Sequence, residues 1–204
     1  TNTAQVTVTV NALPSVIAGP NQTVCAGTSV TLNGSGATSY SWNNNVQNNV
    51  SFIPLLTQTY TVTGTGANGC SNTAQVTVTI LPNPVVNAGN NQTICDGSPV
   101  SLMASGTAST YSWNNNIPNG TVFYPSQTSI YTVTGTAATG CQATDDVIVT
   151  VNPLPQVSGG LNQSVCAGTS VTLTGSGANT YSWDNNVQNN VSFTPVATQT
   201  YTVT

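Results

Sequence analysis

Hydrophobic and polar residues alternate with a period of two along most of this chain, a pattern that predicts short β-strands buried on one face. At residues 76–80, for example, Val76, Val78 and Ile80 alternate with Thr77 and Thr79. The same alternation is present at residues 30–32, 40–42, 50–52 and 60–62. Clusters of Gly and Asn separate these runs, and Thr and Val fit a pleated strand better than a helix. The pattern therefore predicts an all-β protein.

The pattern is repeated along the chain. The stretch Tyr40–Asn45 returns as Tyr111–Asn116 and, with one Asn replaced by Asp, as Tyr181–Asn186, so that the tryptophans lie 71 and 70 residues apart. A fixed period of this kind indicates a domain array. Six or seven short strands in about 70 residues predict a small antiparallel, immunoglobulin-like β-sandwich in each repeat. The predicted core residues are Trp42, Trp113, Trp183, Tyr60, Tyr131 and Tyr201.

Matching segments set the predicted domain boundaries. Residues 1–10 match the strand that closes the first complete repeat, so residues 1–11 are predicted to be the last strand of a preceding sandwich. Two whole repeats follow at 12–82 and 83–152, and residues 153–204 form a third repeat that lacks its last strand. Proline-rich joints separate the repeats, and proline restricts the backbone, so short and stiff connectors are expected.

Charged residues are nearly absent, which excludes several functions. The chain has no Lys, Arg or His, and its four acidic residues are Asp96, Asp145, Asp146 and Asp184. Binding to nucleic acid or to anionic lipid needs cations, and general acid–base catalysis normally uses groups that are missing here. The chain contains no run of about 18 apolar residues, so no membrane span is predicted. We therefore expect no enzyme activity, no cofactor, no metal, no nucleic-acid partner and no membrane insertion of this segment.

Four motifs resemble a known family of repeats. The segments Asn21–Leu32, Tyr40–Trp42, Thr59–Thr65 and Asn68–Cys70 are similar to the PKD-like or Ig-like repeats of large secreted surface proteins of Bacteroidetes. This resemblance implies tandem β-sandwiches, a location outside the cell or on its surface, and a place in adhesins, gliding-related surface proteins or extracellular fibres. Typical PKD domains carry an acidic turn after the Trp, whereas this chain has Asn43–Asn45, which argues against ion binding there.

The five cysteines fall into two positional classes. Cys25, Cys95 and Cys166 precede the second strand of a repeat, and Cys70 and Cys141 lie in the turn before the last strand. Because no Cys-x-x-Cys pair and no His is present, we expect disulfides rather than metal sites. Disulfides in turn place the protein outside the cytoplasm.

Two disulfide arrangements are open. Within a repeat, Cys25 would pair with Cys70 and Cys95 with Cys141, each closing a loop of about 45 residues. An immunoglobulin-like topology, however, places these positions at opposite ends of a sandwich, about 23 Å apart, whereas bridged Cα atoms lie about 4.4–6.8 Å apart. In a head-to-tail array the ends of successive repeats meet, which favours the cross-repeat pair Cys25–Cys141.

Candidate ligand sites have alternative structural interpretations. The aromatic faces of the tryptophans suit stacking on sugars, but their inward alternation favours a core role. The Asn-rich turns at 43–49, 114–119 and 184–190 offer oxygen ligands for Ca²⁺, yet Asn also suits tight turns. Asn-x-Ser/Thr sequences recur at matched positions and predict glycan attachment where the host glycosylates Asn. O-linked sugar on the many Thr residues is an alternative form of glycosylation. These positions are Asn21, Asn91, Asn162, Asn49, Asn119 and Asn190.

The sequence favours a structural role. We expect a segment of an extracellular repeat array that forms a rigid stalk, adhesin shaft or fibre, with copies of itself as partners. The alternative is a carbohydrate-binding or adhesive module that presents surface loops to glycans, but Val46–Phe52 returns unchanged as Val187–Phe193, and copied loops favour a spacer. A further alternative is strand addition between subunits through residues 1–10; a window cut from one continuous polypeptide is the favoured interpretation.

Overall fold

The structure is a computed structural model that describes residues 2–204. It is built from β-strands, and the described residues contain no α-helix and one short 3₁₀ turn at Asn114–Asn116. The all-β class predicted from the sequence is therefore confirmed, and most strand pairs are antiparallel.

Close contacts group the chain into two compact units. One unit takes in the residues up to Asn90 together with Ser101–Val122 and Ile130–Val147. The other comprises Asn91–Val100, Phe123–Ser129 and Ile148–Thr204. The repeat boundaries at 12–82, 83–152 and 153–204 remain a prediction from the sequence.

The first repeat is a complete two-sheet sandwich. Its strands are β1 (Gln22–Cys25), β2 (Val30–Thr31), β3 (Ser39–Trp42), β4 (Ser51–Phe52), β5 (Gln58–Thr65) and β6 (Ser71–Leu81). One sheet has the order β1-β6-β5-β3, in which β1 runs parallel to β6 and the other pairs are antiparallel. The second sheet is the antiparallel pair of β2 and β4.

The core of the first repeat lies between these two sheets. Val62, Val76 and Val78 from the larger sheet are fully or almost fully buried, and they cluster with Leu32 and Trp42. The alternation seen in the sequence explains this burial, because residues two apart on a strand point to the same face. Strand β6 therefore contributes two core valines from a position between β1 and β5.

The second repeat has the same strand arrangement. Its strands are β7 (Val86–Asn87), β8 (Gln92–Cys95), β9 (Val100–Ser101), β10 (Ser105–Gly106), β11 (Thr110–Trp113), β12 (Val122–Phe123), β13 (Ser129–Thr136) and β14 (Gln142–Asn152). A four-stranded sheet has the order β11-β13-β14-β8, and β8 again runs parallel to the last strand. Two small strand pairs complete it, namely β10 antiparallel to β7, and β12 with β9.

The third repeat forms far less sheet from nearly the same sequence. It contains the strand pair β15 (Val171–Thr172) and β16 (Ser192–Phe193) and two isolated bridges, Ser158–Ser176 and Trp183–Val203. Residues 163–166, which correspond to β1, are exposed and lie in no strand. The physical reason is that the last strand, against which β1 and β8 pair, has no counterpart among residues 153–204.

Residues 2–16 lie in no strand although their alternation predicts one. Val6, Val8 and Val10 are 89%, 81% and 90% exposed. A strand needs a partner for its backbone N–H and C=O groups, and residues 2–10 pair with no described strand. The assignment of residues 1–11 to a preceding sandwich stays a prediction, and Thr1 lies outside the described residues.

Candidate functional site

The most distinctive chemical feature is a disulfide between Cys25 and Cys141. Their Cα atoms lie 5.6 Å apart although 116 positions separate them in the sequence. Cys25 ends β1 of the first repeat, and Cys141 comes immediately before β14 of the second. Of the two arrangements that the sequence left open, the structure therefore contains the cross-repeat one, and Cys25–Cys70 and Cys95–Cys141 are not formed.

Backbone hydrogen bonds fix the segment that follows Cys25. The Ala26 N–H donates to the Leu81 carbonyl oxygen at 2.8 Å, and this bond extends the parallel pairing of β1 with β6 by one residue. The side-chain amide of Asn83 then donates to the Ala26 carbonyl oxygen at 3.1 Å. The proline-rich joint after β6 is thereby tied to the same turn that carries the disulfide.

The two turn cysteines sit in the same local conformation. Before Cys141, the Ala137 N–H donates to the Cys141 carbonyl oxygen at 2.8 Å, and Gly140 adopts a φ of 87°. Before Cys70, Gly66 and Gly69 make the equivalent turn, with the Gly66 N–H 2.9 Å from the Cys70 carbonyl oxygen. The turn therefore presents a cysteine in the same way in both repeats, whether or not that cysteine is bonded.

Three cysteines are free in the described part of the chain. Cys70 is half-buried, and Cys95 and Cys166 are exposed, whereas the bonded Cys141 is 1% exposed. Cys95 and Cys166 occupy the position of Cys25, and Cys70 occupies that of Cys141. Each free thiol therefore occupies one of the two positions that the Cys25–Cys141 disulfide links between the first and second repeats.

The tryptophans are buried and their indole groups are hydrogen-bonded. Trp42, Trp113 and Trp183 are 6%, 3% and 8% exposed. Each donates its Nε1–H to the side-chain oxygen of an asparagine six residues later, at 2.9, 2.9 and 3.0 Å. This geometry supports the core assignment, since a ring at these positions has no exposed face on which a sugar could stack.

The remaining predicted core residues are more deeply buried in the first two repeats than in the third. Tyr60 and Tyr131 are buried, and Tyr201 is half-buried. The ring of Tyr60 packs edge-on against Phe52 at 5.3 Å between centroids, and Tyr201 packs in the same way against Phe193 at 5.1 Å. Burial raises the pKa of the Tyr60 hydroxyl above its usual value.

The Asn-rich turns contain asparagines in the left-handed backbone conformation. Asn44 and Asn45 have φ angles of 56° and 58°, and the equivalent pairs in the other repeats are also left-handed. Asparagine tolerates this region better than most residues. The side-chain oxygen of Asn43 accepts a hydrogen bond from the Thr61 N–H at 3.0 Å, so it holds the turn against β5. Among residues 2–204 no cluster of three acidic, His or Cys side chains suggests a metal site.

The structure corrects one feature of the predicted glycosylation positions. Asn119 does not match Asn49 and Asn190, because its side-chain oxygen accepts the Trp113 indole hydrogen, which is the role of Asn48 in the first repeat. The turn has the same length in each repeat, but its sequon begins six residues after the Trp in the second repeat and seven residues after it in the first and third. Glycan attachment at the six positions stays a prediction.

The first group of sequon residues has a clear structural role. The side-chain oxygen of Asn21 accepts the Thr77 N–H at 2.8 Å, and that of Asn91 accepts the Ile148 N–H at 2.9 Å. Both bonds tie the start of a repeat to its last strand. This role was not apparent in the sequence, where the sequon motif drew attention to glycosylation instead.

Comparison with known proteins finds distant similarity to solved structures and no family. No family model matches the chain, and no curated protein matches it either. Solved structures with a similar fold include the insect immune protein hemolin, with 14% identity and a TM-score of 0.38 over 68% of this chain. They also include the eight N-terminal Ig domains of DSCAM, with 16% identity and a TM-score of 0.38 over 84% of this chain. A third is the titin segment I67–I69, with 11% identity, a TM-score of 0.35 and 87% coverage.

The DSCAM and titin structures are described as containing Ig domains. The chain spans 46% of the hemolin structure and 33% of the DSCAM structure, and 81% of the titin segment. At these identities and TM-scores the likeness carries no argument about function. Within residues 2–204, no helix has the length and apolar character needed to cross a membrane.

Proposed function

We propose that this chain is a structural segment of an extracellular repeat array that forms a rigid surface stalk, an adhesin shaft or a fibre. The observation that carries the proposal is the Cys25–Cys141 disulfide, which joins successive repeats covalently at a joint that the Asn83 side chain also ties down. A link of this kind resists both bending and separation of neighbouring repeats. Its persistence requires an oxidising compartment, which supports a location outside the cytoplasm.

The copied surface supports a spacer rather than a binding module. Val46–Phe52 and Val187–Phe193 have identical sequences, and the three tryptophans are buried, so none of their rings is available to stack on a sugar. In an array whose repeats contact mainly their neighbours, identical units extend the structure without adding chemistry. The array's partners are then copies of the same repeat.

Small-angle X-ray scattering of the oxidised 204-residue chain tests this role. We expect the oxidised chain to scatter as one narrow distribution of conformations. The double variant Cys25→Ser/Cys141→Ser should scatter as a broader ensemble, because its first joint is free to bend. Cys95→Ser, which removes an exposed thiol and no disulfide, is the matched control. Indistinguishable ensembles for the oxidised chain and the double variant would contradict a rigid, covalently linked array.

A further inference from the structure

Three asparagines in this chain are followed directly by glycine, namely Asn33, Asn68 and Asn119. An Asn-Gly pair can rearrange without an enzyme, because glycine has no side chain to keep its backbone nitrogen away from the asparagine side chain. The reaction needs local freedom of the backbone, so the fold decides which pair reacts. The three pairs differ in this respect.

Asn119 is held by contacts with the core of the second repeat. Its side-chain oxygen accepts the Trp113 indole hydrogen at 2.9 Å and the Ala104 N–H at 2.7 Å. The Gly120 N–H, whose nitrogen would have to attack, donates to the Leu102 carbonyl oxygen at 2.7 Å. Ala104 and Trp113 are buried, so water cannot replace these bonds while the fold persists. The fold therefore protects Asn119.

Asn33 has an exposed side chain but a fixed backbone. Gly34 is buried, and its N–H donates to the side-chain oxygen of Asn48 at 2.6 Å. A Cβ added at Gly34 would lie 2.9 Å from the Tyr40 ring and 3.0 Å from the Val62 side chain. A close-packed backbone of this kind has no room to rotate or to lengthen. Packing therefore protects Asn33.

Asn68 lies in a turn that is open to solvent. Ala67, Asn68 and Gly69 are exposed, and a Cβ built on Gly69 would meet no atom within 4 Å. The Gly69 N–H donates to the Gly66 carbonyl oxygen at 3.0 Å, within the same turn. Water can replace a hydrogen bond at such an exposed position at little cost. The backbone at Asn68 therefore has the freedom and the room that the other two pairs lack.

The Asn68 side chain makes two hydrogen bonds at this surface. Its oxygen accepts the Cys70 N–H at 3.1 Å. This bond spans Gly69, so the side-chain carbonyl stays close to the nitrogen that would attack it. The Asn68 side-chain amide donates to the Ala12 carbonyl oxygen at 3.0 Å. The same amide group that the reaction removes thus helps to hold the proline-rich segment 11–14.

We propose that Asn68 is a site of spontaneous modification, at which conversion to isoaspartate or aspartate loosens the segment 11–14. The Gly69 nitrogen attacks the side-chain carbonyl carbon of Asn68, and the bond from that carbon to the side-chain nitrogen breaks. Ammonia leaves with the proton of the Gly69 nitrogen, and a cyclic imide remains. Water then opens the imide, at the side-chain carbonyl to give aspartate or at the backbone carbonyl to give isoaspartate.

The product holds the segment 11–14 less well than asparagine does. A carboxylate has no hydrogen to donate, so the bond to the Ala12 carbonyl oxygen is lost and a negative charge faces that oxygen. The Asn72 side-chain amide still donates to the Pro14 carbonyl oxygen at 3.1 Å, so the segment loosens without being released. Because residues 12–82 contain no charged side chain, the modification also introduces the first formal charge of this stretch.

The second repeat shows how the same turn is built without this reaction. Thr139 occupies the position of Asn68. The Gly140 N–H again donates three residues back, to the Ala137 carbonyl oxygen at 2.9 Å. Threonine has no side-chain amide, so this copy of the turn cannot form the imide. Asn68→Thr is therefore a variant that keeps the turn and removes the reaction.

Incubation of the oxidised 204-residue chain at mildly alkaline pH tests the proposal, since the attacking nitrogen must lose its proton. Enzymatic methylation of isoaspartate and mass spectrometry of chymotryptic peptides measure each Asn-Gly pair. We expect Asn68 to react roughly tenfold faster than Asn33 and Asn119, which must first break buried hydrogen bonds. In denaturant the three pairs should react at similar rates, and Asn68→Thr should lose most of the label of the folded chain.

Two results would overturn the assignment of the site. One is equal rates at the three pairs in the folded chain, or label that persists in Asn68→Thr. The other is a folded chain that stays unmodified at Asn68 for as long as the denatured chain takes to react.

NMR relaxation tests the effect on the segment 11–14. The Ala12 and Leu13 amides should gain picosecond-to-nanosecond motion in the aged chain and in Asn68→Asp, relative to the fresh chain. Asn33→Asp adds the same charge at an exposed side chain without a bond to this segment, and should leave these amides unchanged. Equal motion in Asn68→Asp and the fresh chain would contradict the loosening. Neither result depends on the rigidity of the Cys25–Cys141 joint, so this inference and the proposed function fail separately.

Discussion

The first and third repeats have nearly the same sequence but differ in how much sheet they form. The first repeat has a four-stranded sheet, in which β6 pairs along eight residues of β5. The third repeat has one short strand pair and two isolated bridges. This comparison separates what the local sequence dictates from what a distant strand must supply.

The local features are the same in both repeats. Trp42 and Trp183 each donate to an asparagine six residues later, at 2.9 and 3.0 Å. The hydroxyl groups of Tyr40 and Tyr181 each bond to the backbone of an alanine three residues earlier. These contacts join residues close in sequence, so they form without the last strand.

The core differs where the last strand would lie. Val62 is fully buried in the first repeat, and the equivalent Val203 is only half-buried. Tyr60 and Tyr201 show the same contrast, at 4% exposed and half-buried. The two valines that β6 contributes are therefore what closes the core and what allows β1 to pair.

The largest effect is expected when the missing strand is supplied on the same chain. Appending the sequence of Gly64–Leu81 after Thr204 should stabilise the third repeat by about 3–6 kcal/mol, because two valine side chains become buried. Hydrogen exchange should then protect the amides of Gln163–Cys166.

The matched control carries Asp at the two appended positions that correspond to Val76 and Val78. It should leave Gln163–Cys166 unprotected and the stability of the third repeat unchanged. If this control stabilised the repeat as well as the valine version did, the difference between the two repeats would not come from the missing core residues.

A smaller effect on stability is expected when a core valine is replaced by alanine. Val62→Ala should destabilise the first repeat by about 2–3 kcal/mol, from lost burial and the cavity that remains. Val203→Ala should cost less than about 1 kcal/mol in the third repeat of a monomeric chain, where the side chain is half-exposed already. Denaturant melts followed by repeat-specific hydrogen exchange compare the two. Equal costs would show that the third core is as closed as the first.

A further pair of variants should destabilise the first and the third repeat by similar amounts. Asn48→Ala removes the acceptor of the Trp42 indole and of the Gly34 N–H, which is 2.6 Å away. Asn189→Ala does the same to Trp183 and Gly175. Each should cost about 1–3 kcal/mol, the penalty for leaving buried donors unpaired. A large difference, measured in the same melts, would mean that this turn depends on the last strand after all.

The smallest effect concerns alkaline pH. Burial raises the pKa of Tyr60, so the folded state holds its proton to higher pH than the unfolded state does. Stability from this group is complete below the ordinary tyrosine pKa of about 10 and is lost as pH rises through the folded value. Tyr60→Phe should flatten the fall in Tm of the first repeat above about pH 10. An unchanged slope would assign the alkaline loss to other groups.

The sequence predicted the strands and core that depend on short-range patterns. The alternation at Val76, Val78 and Ile80, the Gly and Asn turns, and the repeat period were enough to indicate an all-β array. They worked because strand alternation and left-handed turn residues are local properties. The position of Asn119 was misread because the second turn has the same length but carries its sequon one residue earlier, at the asparagine that bonds the tryptophan.

Long-range features were harder to predict. The choice between Cys70 and Cys141 as the partner of Cys25 depends on where two ends of different repeats meet, and spacing alone left both pairings open. The role of Asn21 as an acceptor for the last strand also escaped notice, since it joins residues 56 positions apart. Such contacts are properties of the assembled sheet rather than of any segment.

The central claim is that successive repeats are covalently joined, and force spectroscopy of the single chain tests it most directly. With handles at both ends, the 116 positions between Cys25 and Cys141 cannot extend in the oxidised chain. At about 3.3–3.6 Å per residue, its contour-length gain on unfolding should be roughly 400 Å shorter than that of Cys25→Ser. Equal gains for the oxidised chain and the variant would contradict the account.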